Sequence, residues 1–419
     1  MTWYRNVDWL TFGIWVSLTL IGLTAIYSAT LGPVAQFLPA NIQENFSKQV
    51  VWVGFSLVVL VLVQFTAPRT FEQVSYLAYA VTLMLTVATV FIGVEVNGAK
   101  SWLSLGGARF QTSELMKVTT VLAVANFLTS RRDISAVNLR TAIIAVGLIA
   151  VPAVIILMQN DTGTALVFLP LIPVMLFLSG LPRAVSLFLV SPVIIGYLSI
   201  VGWLWGMLAA VALTFLVHLL QKQPWLSVTT LVLGLLITAG VSFALTEVLK
   251  PHQVKRIEAF INPQVDPQGA GWNVIQAKTA IGSGGFLGKG FLQGTQTQLR
   301  FLPEQWTDFI FCVIGEEWGF IGAATVIMLL MTLLMRFLGN AVTIKNPFSQ
   351  LVFAGAATVF FTHVVVNLGS TMGLMPIIGI PLPFISYGGS AFMANTFLLA
   401  ICMNLYYYQR ELVVFGKAR

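Results

Sequence analysis

Acidic residues beside or within apolar segments are the groups in this sequence best suited to chemistry. Asp308 begins an apolar segment within RFLPEQWTDFIFCVIGEEWGF, residues 300–320, and Glu316 and Glu317 follow about two helical turns later. An acid in the first turn of a helix can simply cap the helix or be stabilised by the helix dipole. Two further carboxylates inside the segment are not explained by such a cap, because ionisable groups at membrane depth are costly and usually functional. The segment therefore predicts a polar interior buried within protein.

A second polar group lies in NGAKSWLSLGGARFQTSELMK, residues 97–117. Glu114 and Lys117 are three residues apart and share one face of a predicted helix. They form either an ion pair that stabilises the helix end or part of a polar cavity facing the outer leaflet. Arg109 adds a positive charge to this segment, and Trp102 is typical of an interfacial anchor.

A third segment, MGLMPIIGIPLPFISYGGSA at residues 372–391, holds prolines and glycines that break any helix. Non-helical backbone at membrane depth is tolerated only where it is buried in protein or lines a cavity. We therefore expect the segment to line a polar cavity with Ser386 and Ser390. Asp161, in QNDTGTA, is a weaker candidate, because an Asx-type turn explains it equally well.

The composition excludes a soluble enzyme, a disordered protein and a nucleic-acid binder. Hydrophobic residues make up 57% and charged residues 9% of the 419 residues, whereas soluble domains carry about 25% charged residues. The class that remains is an all-α polytopic integral membrane protein. A disulfide framework is not predicted, because Cys312 and Cys402 both lie inside apolar runs. A His/Cys transition-metal site is not predicted either, because CxxC spacing is absent and the histidines are far apart in the sequence: His218, His252 and His363.

Apolar runs of about 20 residues predict twelve membrane spans, at 9–30, 48–66, 73–94, 113–129, 140–158, 164–181, 184–201, 203–221, 226–248, 309–338, 350–371 and 387–408. The net charge of +7 fits the excess of Lys and Arg in cytoplasmic loops. Threading twelve spans places most basic residues of the short loops on one side. That side is predicted to be the cytoplasm, with both termini there.

The predicted loop at residues 249–307 is long, basic and rich in glycine. Its interspersed apolar residues predict short amphipathic helices at the outer membrane surface rather than disorder. The stretch 184–221 resembles an inserted helical hairpin. The chain, residues 1–419, is predicted to be one membrane domain with a cavity at its outer face.

These segments together resemble the SEDS family of membrane peptidoglycan polymerases, and within it the RodA (rod-shape) branch. The residues that carry the resemblance are SWLSLGGARFQTSELMK, QNDTGTA, AIGSGGFLGKGFLQGTQTQLRFLPEQWTDFIF and GIPLPFISYGGS. The resemblance implies a SEDS-type bundle of about 10–12 transmembrane helices in the bacterial cytoplasmic (inner) membrane. One departure is Trp306, which stands where the family usually has His.

The resemblance further implies an enzyme that polymerises lipid II, a disaccharide-pentapeptide on undecaprenyl pyrophosphate, during cell elongation and shape maintenance. The family's essential aspartate falls on Asp308, and two of its cavity residues fall on Glu114 and Lys117. Its implied partners are a class B penicillin-binding protein, a transpeptidase that crosslinks the strands, and the elongation machinery.

An inverting glycosyl transfer needs a base for the acceptor hydroxyl, and Asp308 is the candidate. Positive charge must stabilise the pyrophosphate leaving group, either from a divalent cation such as Mg or Mn or from side chains. The candidate side chains are Lys117, Arg109 and Lys48, with Lys289 weaker. Two alternatives stay open: a lipid II flippase, and another outer-face lipid-linked-sugar transferase such as an O-antigen ligase.

Overall fold

A computed structural model of the chain is predominantly helical. It describes residues 7–96, 98–105, 108–130, 139–248, 254, 257–258, 260–265 and 271–409. Within these residues ten helices are long and apolar enough to cross a membrane. The predicted polytopic helical bundle is therefore confirmed.

The α-helices, numbered in chain order, are α1 Trp9–Leu31, α2 Ala40–Gln43, α3 Asn45–Gln64, α4 Pro68–Ile92, α5 Thr112–Thr129, α6 Leu139–Met158, α7 Thr162–Phe168, α8 Leu171–Leu178, α9 Arg183–Val201, α10 Trp203–Leu220, α11 Pro224–Phe243, α12 Trp272–Ser283, α13 Ile310–Glu317, α14 Gly319–Thr343, α15 Pro347–Thr371 and α16 Gly389–Tyr407. A π-helical turn, Ala244–Val248, extends α11, and 3-10 turns occupy Pro33–Phe37 and Pro263–Val265.

Each of the twelve predicted spans coincides with helix. Ten correspond to the long apolar helices, and the other two correspond to α5 and to the pair α7–α8. Two spans are broken rather than continuous. Pro170 follows the end of α7, where a proline cannot donate the next helical hydrogen bond, and Trp318 separates α13 from α14.

A three-stranded antiparallel sheet lies between α4 and α5 and was not predicted from the sequence. Its strands are β1 Val94–Val96, β2 Ala99–Leu105 and β3 Ala108–Gln111, in the order β1-β2-β3. Trp102 of β2 pairs with Gln111 of β3, immediately before α5. The sheet therefore carries Trp102 and Arg109 to the start of the helix that bears Glu114 and Lys117.

The chain divides into two compact units. The first comprises Met1–Ser130, Val146–Leu171 and Asn273–Arg419, and the second comprises Arg131–Ala145 and Ile172–Trp272. All the candidate site residues belong to the first unit. The single domain expected from the sequence stays a prediction.

Aromatic rings form a column through the core of the first unit. Phe337 of α14 contacts Phe353 and Phe360 of α15, at ring-centroid distances of 5.5 and 5.7 Å. Phe360 in turn contacts Phe384 at 5.4 Å, and Phe384 contacts Phe392 of α16 at 6.2 Å. Phe384 has a φ of 65°, a conformation that is rare for a bulky residue and persists only where surroundings enforce it. The column therefore fixes the non-helical segment between α15 and α16 against three helices.

In the second unit, α9, α10 and α11 pack on one another. Ile195, Ala209, Ala210 and Leu213 form a buried apolar cluster between them. The helices at the position of the expected inserted hairpin, 184–221, thus pair with α11 as well as with each other.

The expected surface helices of the loop 249–307 are present only in part among the described residues. α12 is a 12-residue helix whose buried face carries Val274, Ala277 and Ala280. Gly284 to Phe309 form turns instead. Residues 249–253, 255–256, 259 and 266–270 lie outside the described part of the chain.

Candidate functional site

The non-helical segment at residues 379–388, here called the strap, is bound to the backbone beside Asp308. Ser386 Oγ donates to the carbonyl of Thr307 at 2.7 Å and accepts from the amide of Leu382 at 2.9 Å. The amide of Tyr387 donates to the carbonyl of Trp306 at 2.9 Å. The helix break predicted at this position therefore holds the 306–308 backbone in place, and Ser386 is used for that purpose.

Asn367 of α15 supplies a third connection between these segments. Its side-chain amide donates to the carbonyl of Asp308 at 3.2 Å and to the carbonyl of Ile380 at 2.8 Å. The side chain is 1% exposed. These bonds give both carbonyls a partner, and a buried carbonyl without one is costly.

The carboxylate of Asp308 is partly buried but unengaged. It makes no hydrogen bond or ion pair with any residue that the structure describes. Burial, and to a smaller extent the nearby charge of Glu304, raises the pKa of Asp308 to about 6. Asp308 does not cap α13, because that helix begins at Ile310 after Phe309. A raised pKa and free lone pairs suit a general base working near neutral pH.

Glu304 and Trp306 lie on the turn that leads to Asp308. Glu304 has a φ of 50°, and its backbone carbonyl accepts from the amides of Thr307 and Asp308, both at 3.2 Å. Burial raises the pKa of Glu304, while a hydrogen bond from the Trp306 side chain lowers it. Trp306 packs in a buried cluster with Ala29 and Val34. At the position where a titratable neighbour was expected, this chain therefore has a buried indole that binds Glu304.

Glu114 and Lys117, at the start of α5, form a buried ion pair. Glu114 Oε2 lies 2.7 Å from Lys117 Nζ, and the two residues are 2% and 1% exposed. Lys117 Nζ also lies 2.8 Å from Nε2 of His363 on α15, whose Nδ1 lies 2.9 Å from the carbonyl of Pro381. Glu114 and Lys117 are thus connected to the strap by a histidine that the sequence analysis had set aside.

Gln111, the last residue of β3, joins two other candidates. Its side-chain amide donates to Asp161 Oδ2 at 2.7 Å, and its backbone amide donates to Ser390 Oγ at 3.1 Å. Asp161 caps α7 by accepting from the amide of Thr164 at 3.0 Å, which agrees with the turn-forming interpretation. Ser390 Oγ also lies 3.5 Å from the carbonyl of Arg109.

Two exposed basic residues, Lys48 and Arg109, act on Tyr387 of the strap. Burial raises the pKa of the Tyr387 phenol, and the positive charges of Lys48 and Arg109 oppose that rise. Lys48 pairs with Glu44 at 2.9 Å. The guanidinium of Arg109 has no ion pair or hydrogen bond among the described residues, so its charge is available to a ligand. Trp102 is partly buried on β2 of the same sheet.

Lys289 belongs to a separate cluster around the buried carboxylate of Glu316. Lys289 Nζ lies 2.7 Å from Glu316 Oε1. The backbone amides of Thr295, Gln296 and Thr297 donate to the same carboxylate at 2.8, 2.9 and 2.9 Å, and two threonine hydroxyls add further bonds. Glu316 therefore organises the glycine-rich turns around it, and the charge of Lys289 is largely balanced there.

Glycines make the close contact between these turns and α14 possible. Gly288 and Gly319 have φ values of 83° and 64°, and a Cβ on Gly319 would collide with the amide nitrogen of Gly288. Glu317 holds α1 instead, by accepting from Ser28 Oγ and from the Gln298 side chain.

The structure therefore brings some predicted residues together and leaves others apart. Asp308, Ser386 and Lys117 are linked through the strap, while Asp161 and Ser390 meet at Gln111, and Lys289 lies with Glu316. Sequence reasoning missed His363, Asn367 and Gln111. His363 and Asn367 are four residues apart on one helical face, and that spacing of polar groups within an apolar span was the available signal.

The chain matches a known family over nearly its whole length. The sequence model of a family described as cell cycle protein, with FtsW, RodA and SpoVE as its namesakes, matches residues 8–211 and 206–411. The chain belongs to this family. The peptidoglycan glycosyltransferase RodA of Treponema pallidum (strain Nichols) is 33% identical over 427 residues, covering 96% of this chain and 97% of that protein.

Further relatives and solved structures have names of the same kind. The peptidoglycan glycosyltransferase MrdB of Escherichia coli (strain K12) is 34% identical over 360 residues, covering 86% of this chain and 85% of that protein. A chain from a peptidoglycan synthase complex that coordinates polymerization and crosslinking superposes with a TM-score of 0.72 at 28% identity, over 96% of this chain and 98% of that one. The Thermus thermophilus rod shape determining protein RodA has a TM-score of 0.62 at 24% identity, over 96% and 97%, and this likeness shows the fold. The predicted SEDS family membership, with its RodA branch, is thereby confirmed.

Proposed function

We propose that this member of the family is a peptidoglycan glycosyltransferase that polymerises lipid II at the outer face of the bacterial cytoplasmic membrane. The observation that carries the proposal is the unengaged carboxylate of Asp308, whose backbone is held by the strap and by Asn367. The names of the relatives support the same activity. The cellular role in elongation and shape maintenance follows from the likeness to RodA.

In the proposed reaction Asp308 accepts the proton of the GlcNAc O4 hydroxyl of an incoming lipid II. That oxygen attacks the anomeric carbon of MurNAc on the growing chain, and the bond from this carbon to undecaprenyl pyrophosphate breaks with inversion. A pKa near 6 leaves Asp308 ionised at pH 7 yet basic enough to take a proton. The electron pair departs with the pyrophosphate.

Positive charge at the leaving group is assigned first to Arg109. Its guanidinium is exposed and unpaired among the described residues, and guanidinium groups bind phosphate oxygens in a bidentate manner. Lys117 contributes less net charge because Glu114 lies 2.7 Å away, and Lys48 is paired with Glu44. Trp102 lies in the same sheet as Arg109, and Ser390 and Asp161 lie at the starts of α16 and α7.

A divalent cation, Mg or Mn, remains part of the proposal. No group of three or more His, Cys, Asp or Glu suited to a metal occurs among the described residues. The oxygen ligands of the cation would therefore come mainly from the substrate phosphates and water, as Mg²⁺ commonly allows, which leaves the Asp308 carboxylate to act as the base and Glu304 as its charged neighbour. Such an ion would supply positive charge to the departing pyrophosphate.

We further propose a class B penicillin-binding protein as the partner that activates polymerisation, within the elongation machinery. The similarity to a chain of a complex that couples polymerization to crosslinking supports such a partner. The placement of both termini in the cytoplasm is proposed from the distribution of basic residues.

The test is reconstitution of the purified full-length protein with lipid II, with and without its cognate penicillin-binding protein, followed by separation of glycan products. Polymer from wild-type protein and none from Asp308→Asn would support the transferase. Transbilayer movement of lipid II in vesicles without polymer would favour the flippase. Transfer to an acceptor other than a glycan strand would favour a different lipid-linked-sugar transferase.

A further inference from the structure

His363 lies between the Glu114–Lys117 ion pair and the strap, and the reaction scheme above gives it no role. We propose that His363 is a positioning residue for that reaction: it fixes the Lys117 ammonium to the segment that also holds Asp308. The inference rests on the proposed transferase function and adds a residue to it.

The hydrogen bonds of His363 define its tautomer. Nδ1 lies 2.9 Å from the carbonyl of Pro381, and a carbonyl can only accept, so Nδ1 carries the hydrogen. Nε2 lies 2.8 Å from Lys117 Nζ, and an ammonium can only donate, so Nε2 accepts. The imidazole is therefore neutral, with both nitrogens engaged.

The Lys117 ammonium carries three hydrogens but has only two hydrogen-bond acceptors among the described residues. Glu114 and His363 take two of the directions, and no third partner is found in the part of the chain that the structure describes. His363 thereby sets the direction of the remaining N–H. Lys117 and the strap occupy both ring nitrogens of His363, so the histidine acts through Lys117 and not on a substrate directly.

One face of α15 connects this lysine with Asp308. His363 and Asn367 are four residues apart, and they bind the carbonyls of two consecutive strap residues, Pro381 and Ile380. Asn367 also binds the carbonyl of Asp308. Lys117, through His363, and the Asp308 backbone, through Asn367, are thus connected to two consecutive residues of the strap, so loss of the His363 contacts would change the placement of Lys117 relative to Asp308.

The test compares His363→Phe with His363→Gln. Phenylalanine keeps most of the ring volume and removes both hydrogen bonds. Glutamine has an amide oxygen that can accept from Lys117 and an NH₂ that can donate to Pro381. Thr362→Val is the matched control, because Thr362 is buried on the same helix turn and its hydroxyl donates, among the described residues, only to the carbonyl of Thr358, at 2.8 Å.

We expect His363→Phe to lower kcat for glycan polymerisation about tenfold to a hundredfold with KM for lipid II nearly unchanged, since misplacement of a reacting group by about 1 Å has effects of this size. His363→Gln should recover most of the rate, and Thr362→Val should keep it. All variants are assayed with the partner protein and compared for melting temperature.

Three results would overturn the inference: wild-type kcat in folded His363→Phe, equal losses in the Phe and Gln variants, or a loss that follows melting temperature in the same way for Thr362→Val. Should His363→Phe not fold, His363→Asn replaces it, because its shorter amide cannot span both partners, and an unchanged kcat would again contradict the proposal. Wild-type protein that makes no polymer would instead reject the transferase function itself.

Discussion

The side-chain amide of Asn367 donates to the backbone carbonyl of Asp308 at 3.2 Å, while the Asp308 carboxylate has no partner in the part of the chain that the structure describes. The same amide binds the strap at Ile380. The position of Asp308 is therefore maintained by its backbone, while its side chain is free for chemistry. A substitution of that side chain should consequently change reactivity without releasing the segment.

We expect Asp308→Asn to abolish polymerisation while preserving the fold and the binding of lipid II. The two side chains have nearly the same size, and Asp308 has no side-chain partner to lose among the described residues. Loss of a general base slows a reaction by a factor of about 10² to 10⁴. The measurements are glycan yield, lipid II affinity and melting temperature of the purified variant.

The melting temperature provides the control. Burial raises the pKa of Asp308 to about 6, so the folded state holds the proton more tightly than the unfolded state does. This carboxyl group therefore lowers the stability increasingly as the pH rises from its ordinary pKa of 3.8 to about 6, and by a constant amount above that; Asn removes this cost. At pH 7 the variant should be at least as stable as the wild type. Wild-type polymer yield from such protein would reject the catalytic assignment.

The rate of polymerisation should fall as the pH is lowered through about 6, because Asp308 then becomes protonated and cannot accept a proton. Glu304→Gln should move this fall to lower pH. The substitution removes the negative charge that raises the pKa of Asp308, and its amide oxygen can still accept from the Trp306 side chain. The measurement is the pH profile of kcat/KM for both proteins with the partner present. Identical profiles would contradict a role of Asp308 as the titrating base.

The spans could be predicted from the sequence because long apolar runs specify membrane helices almost alone. The sheet is harder to predict because β1–β3 are short and contain many polar residues; the Asn-Gly and Gly-Gly dipeptides at 97–98 and 106–107 of the sequence, typical of two-residue hairpin turns, were the available signal. The break at 372–391 was predicted from its prolines and glycines, and the structure adds that Ser386 binds backbone there. The roles proposed for the site residues stay predictions.

The histidine was overlooked for a different reason. Its partners, Lys117 and Pro381, are 246 and 18 residues away along the chain, and only tertiary packing brings them together. The distance along the sequence from other histidines and cysteines bears on a metal site and gives no information about such hydrogen-bond partners. The spacing of four residues between His363 and Asn367 contained the better information.

Glu316→Gln should destabilise the protein and loosen the turns that precede Asp308. In either orientation of the Gln amide, its NH₂ would face a backbone amide that now donates to the carboxylate: that of Thr295, which binds Oε1, or that of Thr297, which binds Oε2. A buried donor left without an acceptor costs about 1–3 kcal/mol. The measurements are melting temperature and the rate of proteolysis within residues 284–300.

Lys289→Met is the matched control for that experiment. This substitution removes the ammonium group of Lys289, whose side chain is 24% exposed, and leaves the backbone amides that bind Glu316 in place. We expect a smaller loss of stability than for Glu316→Gln. A larger loss from Lys289→Met would show that the ion pair, rather than the backbone amides, holds the turns.

Arg109→Gln should slow polymerisation by about a hundredfold, the effect of removing one donor that stabilises developing negative charge. The stability should change little, because Arg109 is exposed and unpaired among the described residues, and exposed substitutions of this kind usually fall within about 0.5 kcal/mol. Arg109→Lys should retain part of the rate, since it keeps the charge but loses the planar guanidinium geometry that matches phosphate oxygens.

Lys48→Gln is the comparison: the charge of Lys48 is already paired with Glu44 at 2.9 Å, so the effect on the rate should be smaller. The measurement is kcat with saturating lipid II and partner at fixed ionic strength. A larger loss for Lys48→Gln than for Arg109→Gln would transfer the leaving-group role from the sheet to α3.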